Sequence, residues 1–283
     1  MTKRDECVIL FSGGTDSMLA AALQQERFRK IYLVTYDRFG LYATENTKIN
    51  AKLLRDKYGA DRVEHRIINI DNLFRYVSYE RYWHNLFKHR FMVLSTCGLC
   101  KLAMHVRTVK FCQDLGITHV SDGANQGMNM FPDQMPGVIA ELQKMYRHFG
   151  IEYSNPVFAH SPPEEGNFIK MDNLNMLSSL ANQGQEDDSA AARKRREGTT
   201  GYALYQKGLA PLPNVKGTPY DRQRQPRCFQ FMLFKIFVNK YFLEKYTHEE
   251  YIRRTHKFFA EKIHKMIELL GPDAEKLNRI IER

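Results

Sequence analysis

The run Phe11-Ser12-Gly13-Gly14-Thr15-Asp16-Ser17 constrains this chain more than any other feature. The apolar stretch Cys7-Val8-Ile9-Leu10 precedes it and reads as a buried strand. Met18-Leu19-Ala20-Ala21-Ala22-Leu23 follows it and reads as the first turns of a helix. Strand, glycine turn, hydroxyl residues and helix together build an anion site. Glycines let the backbone turn tightly and approach a phosphate with no Cβ in the way. The unpaired amides at the helix start point at the anion, and the helix dipole adds partial positive charge. Ser12, Thr15 and Ser17 add hydroxyl donors. Asp16 is out of place beside phosphates unless it caps the helix or helps to hold a metal. The bland alternative is a glycine turn that joins strand to helix and binds nothing.

The next 140 or so residues alternate in the same manner. Residues 30–36 read as a second strand, 44–58 as a helix closed by Gly59, and 62–70 as a third strand. Asp71 is expected to cap one long aromatic-rich helix reaching about Arg90. Residues 99–115 form a helix closed by Gly116, 117–121 a fourth strand, 136–149 a helix closed by Gly150, and 151–157 a fifth strand. This alternation predicts an α/β fold with a parallel, Rossmann-like sheet and ligands at the carboxyl ends of its strands. On that topology Thr35, Tyr36 and Asp37 form the wall for a nucleotide's adenine and ribose, with Gly123 close on the other side.

The pattern stops near residue 160. Residues 178–200 are polar and small, with Asp187-Asp188 and the basic run Arg193-Lys194-Arg195-Arg196, and read as a linker. Residues 201–225 are expected to cross the surface as irregular structure. From Cys228 onward the chain reads as two or three helices. Phe229, Met232, Leu233, Ile236, Phe237 and Tyr241 have helical spacing, and the stripe reads as core rather than as a stacking surface. The expected organisation is an α/β domain carrying the glycine loop over 1–160, an irregular insertion over 161–227 and a helical C-terminal extension over 228–283.

The Ser12–Ser17 segment resembles the SGGxDS loop of the PP-loop ATP pyrophosphatase superfamily, whose fold is of the HUP type. It lacks the Gly-Lys-Ser/Thr ending of a Walker loop. The resemblance implies that Phe11 to Ser17 bind ATP, with Mg2+. A substrate oxygen is then adenylated, pyrophosphate leaves, and a nucleophile displaces AMP. It also implies catalytic roles for Asp16 and Asp122. Gln126-Gly127-Met128-Asn129 stands where relatives carry an acidic pair.

Cys97-Gly98-Leu99-Cys100, expected at a loop before a helix, is the second chemical signal. Two thiols at this spacing reach one metal, and a helix N-terminus favours their thiolate forms. A zinc ribbon needs a second such pair, which is missing. A thioredoxin-type redox pair belongs directly after an early strand, where this chain carries its glycine loop. Cys228 lies far downstream, flanked by Arg222, Arg224 and Arg227, whose charges would favour a thiolate. Cys7 and Cys112 read as inert small core residues. A CxxC pair and a distant third cysteine behind a PP-loop resemble the iron–sulfur tRNA thiolases of that superfamily, the two-thiocytidine and two-thiouridine synthetases. The resemblance implies that Cys97, Cys100 and Cys228 hold a 4Fe–4S cluster, in preference to zinc, whose fourth iron stays open to a sulfur species. It further implies an ATP-dependent sulfurtransferase acting on tRNA. Lys101 then stabilises phosphate charge or the adenylate; its plain alternative is a solvated helix lysine.

Composition bounds the rest. With 283 residues, 43% of them hydrophobic, the chain can bury one large α/β core plus an extension. A net charge of +10 favours an acidic partner such as RNA. No apolar run approaches the roughly 20 residues of a membrane span. The N-terminus enters a strand directly, with no visible signal peptide, and five cysteines without one point to a reducing cytoplasm. The sulfur donor is left open, and a homodimer is compatible with the sequence. Three alternatives stand beside the thiolase: a PP-loop amide or nitrogen ligase with zinc-bound cysteines, a sulfurtransferase for a small molecule, and an inactive nucleotide- or RNA-binding module.

Overall fold

The computed structural model describes residues 4–160 and 197–282. The basic run at 193–196 and the acidic pair at 187–188 lie outside the described residues.

Strands β1 (Arg4–Leu10), β2 (Phe28–Asp37), β4 (Val63–Asn69), β5 (His119–Asp122) and β6 (Glu152–Ser154) form one parallel sheet in the order β4-β2-β1-β5-β6. Helices α1 (Thr15–Arg27), α2 (Thr47–Tyr58), α3 (Asp71–Tyr79), α4 (Tyr82–His89), α5 (Thr96–Leu115) and α6 (Pro136–His148) lie between them. The strands are buried on both sides because alternate residues serve two cores. Val8, Leu10, Tyr32, Val34 and Tyr36 face the core shared with α3, α5 and α6. Cys7, Ile9, Ile31 and Leu33 face the core shared with α1 and α2.

The chain runs outward from β1 through β2 to β4, then returns to β5 on the other side of β1. Ligand crevices form at such a reversal. Here Leu10 pairs with Asp122, so the glycine loop and Gly123 leave adjacent strand ends.

Several expectations need correction. The helix foreseen from 71 to 90 is broken: α3 ends at Tyr79, and Arg81 takes a left-handed conformation, φ 50°, before α4 begins. A 3-10 turn, Arg90–Leu94, follows. Asp71 does not cap α3 through its side chain; its carboxylate instead accepts from the Phe39 amide. The CxxC pair sits inside the first turn of α5, not in a loop ahead of it.

The segment expected to be irregular is in part folded onto the sheet domain. Helix α7 (Thr200–Gln206) packs on α1, and Leu204 and Leu209 enter the same core as Leu19 and Leu33. A helical turn, Pro219–Arg222, follows.

The C-terminal region is helical: α8 (Phe229–Phe237), a π-turn over Val238–Phe242, α9 (His248–Leu270) and α10 (Ala274–Glu282). Helix α9 packs on α5 and α6, and α10 on α3. Gly98 permits the first of these contacts, since a Cβ there would stand 2.3 Å from the Phe259 ring.

The aromatic stripe of α8 is divided. Of the residues read as core, Phe229, Leu233 and Ile236 are about half exposed and Phe237 and Tyr241 are partly buried; the buried side chains, Phe234 and Val238, lie outside that set. Spacing reveals that a helix has an apolar face, not what covers it. Among the described residues no helix is long and apolar enough to cross a membrane.

Candidate functional site

The glycine loop is held from within. Ser17 Oγ donates to the Gly14 carbonyl at 3.0 Å and lies 3.1 Å from Ser12 Oγ. Asn50 Nδ2 donates to the Gly13 carbonyl at 2.6 Å. Gly13 has φ +73°, a region open to glycine at no steric cost. Gly123 lies against the start of α1, where a Cβ would come within 2.5 Å of the Ser17 amide nitrogen.

The loop also lies under residues 199–225, a neighbour that sequence order did not reveal. A Cβ on Gly13 would meet the Arg224 carbonyl oxygen at 2.4 Å, and one on Gly14 would meet Gln225 Oε1 at 2.8 Å. Thr15 donates through its amide and hydroxyl to Asp221. Asp16 neither caps α1 nor stands open. Its carboxylate accepts from Lys216 Nζ at 2.6 and 2.8 Å and from Thr200 Oγ1 at 2.7 Å. Gly13→Ala is expected to lower stability by about 2–4 kcal/mol, since a strained φ and a backbone clash add. Gly14→Ala should cost clearly less, because the Gln225 side chain can turn away. Thermal unfolding of the two variants tests the difference; equal losses would refute this packing.

The cysteines come together through a small second sheet. Gly40, φ +87°, turns the chain after β2 into β3 (Leu41–Tyr42). That strand pairs antiparallel with β7 (Arg227–Cys228), in the register Leu41–Cys228. Cys228 is thereby carried back to the end of β2, beside the first turn of α5. Arg38 joins the thiols: Nε donates to Cys100 Sγ at 2.6 Å, and Nη2 reaches Cys228 Sγ at 3.5 Å. The Arg38 guanidinium also lies over the Phe74 ring at 4.5 Å and is almost fully buried.

The cation in contact with Cys228 is therefore Arg38; Arg224, one of the three arginines expected to act there, instead covers Tyr220. Nothing in the sequence marked Arg38, one arginine among many. The expected thiolate bias of the helix start is outweighed. Burial pushes the Cys100 thiol up to about 11 despite Arg38, and pushes Cys97 higher still. Cys7 and Cys112 are buried in the two cores. Among the described residues, no three Cys, His, Asp or Glu side chains gather tightly enough to hold one metal ion.

Lys101 and Asp122 connect the thiols to the loop. Lys101 Nζ lies 3.1 Å from Asp122 Oδ2 and is half-buried rather than a solvated surface lysine. Burial disfavours its charge, but Asp122 and Asp133 outweigh burial and raise its pKa. Asp122 is fully buried. Burial alone would raise its pKa, yet Lys101, His105, the Ala124 amide and the Tyr153 hydroxyl hold it at about 2. Asn155 Nδ2 donates to it as well, at 2.6 Å. Both oxygens of Asp122, expected from sequence to be catalytic, are engaged: Oδ1 by the Ala124 amide and Asn155, Oδ2 by Tyr153 and Lys101. Asp133, from the 3-10 turn Pro132–Gln134, joins this group; burial raises its carboxyl to about 6.

His105 sits behind Asp122. It shares a hydrogen bond with Tyr146 through Nδ1, and its buried Nε2 has no partner among the described residues. Burial, then Lys101, holds its pKa at about 3. Its ordinary value is near 6.5, so the unfolded chain takes up this proton first as pH falls. Its contribution to stability is present above pH 6.5 and is lost progressively toward pH 3, at up to about 1.4 kcal/mol per pH unit. Urea midpoints of the wild type should therefore fall more steeply below pH 6.5 than those of His105→Gln. Parallel curves would rule the effect out.

The end of β2 presents few side chains to a ligand. The Thr35 hydroxyl donates to the Phe11 carbonyl at 2.8 Å, and the Tyr36 hydroxyl is buried against Thr108. Tyr36, expected in an adenine wall, has its ring in the core. A wall here would be backbone together with Asp37, which is half-buried.

No protein-family model matches the chain, and no curated protein is similar to it in sequence. Solved structures are similar at low identity, among them the following two. One is a predicted subunit of tRNA methyltransferase from Methanocaldococcus jannaschii, 17% identical, with a TM-score of 0.37 over 79% of this chain and 96% of that one. The other is the U34-tRNA thiolase NcsA from Methanococcus maripaludis with its 4Fe–4S cluster, 14% identical, with a TM-score of 0.36 over 93% of this chain and 73% of that one.

Proposed function

We propose that this chain is an ATP-dependent sulfurtransferase that activates its substrate as an adenylate and then thiolates it, with a tRNA base as acceptor. The observation that carries the reading is a shared address. The glycine loop and the three thiols lie at the same carboxyl edge of the sheet. They are joined by Lys101, the neighbour of Cys100, whose partner Asp122 adjoins Gly123 against the loop.

In this reading Ser12 to Ser17 hold the phosphates of ATP. A substrate oxygen attacks the α-phosphorus, forming an O–P bond as the bond to pyrophosphate breaks. Sulfur then adds to the activated carbon, and AMP departs with the C–O electron pair. Lys101 is the cation available to offset charge on the α-phosphate, and Asp122 keeps it in position. Closeness of the two centres matters because an adenylate exposed to water would hydrolyse.

Cys97, Cys100 and Cys228 would hold the 4Fe–4S cluster. Their chemistry suits it, since thiolates are the ligands of such clusters. Bound there, the cluster would supply an open iron to which a sulfur species attaches. Arg38 offsets the negative charge of the thiolates. Asp16, the residue expected to serve magnesium, is engaged by Lys216 and Thr200, so the loop offers magnesium no open carboxylate as it stands. The net charge of +10 suits an acidic acceptor.

Anaerobic purification tests the reading. It should yield brown protein containing iron that converts ATP to AMP when acceptor tRNA is present. Gly14→Ala should weaken ATP binding while the fold survives. Mass spectrometry of tRNA nucleosides from a deletion strain should show one thiolated base missing. A colourless, iron-free protein and an unchanged nucleoside profile would reject it.

A further inference from the structure

The glycine loop contains no lysine or arginine, although a triphosphate carries several negative charges and phosphate loops often include a cation. A cation does reach this loop, from two hundred residues downstream. Lys216 Nζ is within 2.8 Å of both Asp16 oxygens, and its side chain is 14% exposed.

The same segment also brings an anion. Asp221 is 6% exposed; its Oδ1 accepts from the Thr15 amide at 3.2 Å and the Thr15 hydroxyl at 2.8 Å, and its Oδ2 accepts from the Gly217 amide. A buried carboxylate thus takes up donors at the start of α1 that a bound phosphate would use. The Arg224 carbonyl and the Gln225 side chain press on Gly13 and Gly14 from the same direction. Phosphates cannot approach these groups until residues 199–225 yield.

From this geometry we propose that residues 199–225 are a moving wall of the nucleotide site: Asp221 takes donors that a phosphate oxygen would use, and Lys216 passes from Asp16 to the entering triphosphate. This rests on the reading of the loop as an ATP site and adds to it a phosphate-binding residue and a competing internal anion. Sequence order hides both, because they lie in a stretch that reads as irregular surface structure. When Lys216 turns to the triphosphate, Asp16 is released at the edge of the site. Thr199 Oγ1 and Thr218 Oγ1 accept from the Tyr202 and Asp221 amides, so each end of the wall keeps its own turn while its contacts with the loop exchange.

Binding of ATP to the full-length protein, measured by isothermal titration calorimetry with magnesium and without acceptor, tests the proposal. Lys216→Met should weaken ATP binding about tenfold or more, the scale of one charge-assisted phosphate contact, and Lys216→Arg should restore most of it. Asp221→Asn should tighten binding, because a neutral amide competes less well for the α1 donors. Hydrogen exchange across residues 199–225 should change when ATP is added. Thermal unfolding confirms that each variant is folded, and a Lys216→Met protein that fails to fold leaves Lys216→Arg and Asp221→Asn to decide. Unchanged affinity in Lys216→Met, weaker or equal binding in Asp221→Asn, or exchange indifferent to ATP would each overturn the proposal while leaving the ATP site standing. Absence of ATP binding by the wild type would instead reject the reading of the loop itself.

Discussion

Cys97→Ser, Cys100→Ser and Cys228→Ser are each expected to lose their iron and all sulfur transfer, while Cys7→Ser and Cys112→Ser keep both. The reason is positional. Cys97 and Cys100 share the first turn of α5, and Cys228 is brought to them by β7 pairing with β3 around Arg38. Cys7 and Cys112 belong to the cores on the two faces of the sheet. A serine hydroxyl is a poor ligand for a soft iron–sulfur centre, so one substitution removes a third of the protein's hold. Arg38→Gln should retain the thiols yet weaken their hold on iron by about 10–100-fold in affinity, as loss of a supporting partner does. Iron analysis and visible absorbance of anaerobically prepared variants are the measurement. Full iron content in Cys228→Ser would dismiss the three-cysteine set and leave a buried CxxC pair with an unrelated neighbour.

Breaking the Lys101–Asp122 pair should be the most costly single change outside the apolar cores. Asp122 is fully buried and holds a low pKa mainly because Lys101 opposes its burial. Lys101→Met leaves that charge without its counter-ion, a loss of about 3–5 kcal/mol. The remaining donors, from Ala124, Tyr153 and Asn155, soften the loss without replacing the charge. Lys101→Met together with Asp122→Asn should recover part of the stability, because no uncompensated charge then remains. Neither protein should form the adenylate at a useful rate, since both lack the cation. Urea unfolding of the two single variants and the double variant gives the coupling directly. Simple additivity would show that the two groups do not act as a pair.

The sequence by itself determined the strand–loop–helix start and the parallel α/β architecture, and it singled out the glycine run and the CxxC pair. These features are local: hydrophobic runs, a glycine pair and a CxxC spacing act within a few residues of themselves. It also marked Lys101 and Asp122, though not that they meet. The break between α3 and α4 was hidden because aromatic residues continue across it, and the interruption lies in the backbone of Arg81.

Tertiary structure decided what lies opposite each local element. Arg38 is one arginine among many until the turn at Gly40 and the β3–β7 ladder set it between Cys100 and Cys228. Residues 201–225 read as irregular surface structure because of their prolines and polar residues, yet their backbone and a few side chains fit the glycine loop. The exposed face of α8 has the same periodicity as a buried one. Sequence pattern states which side chains avoid water, and only the packed chain states which partner each of them meets; charge pairing and burial follow from that partner.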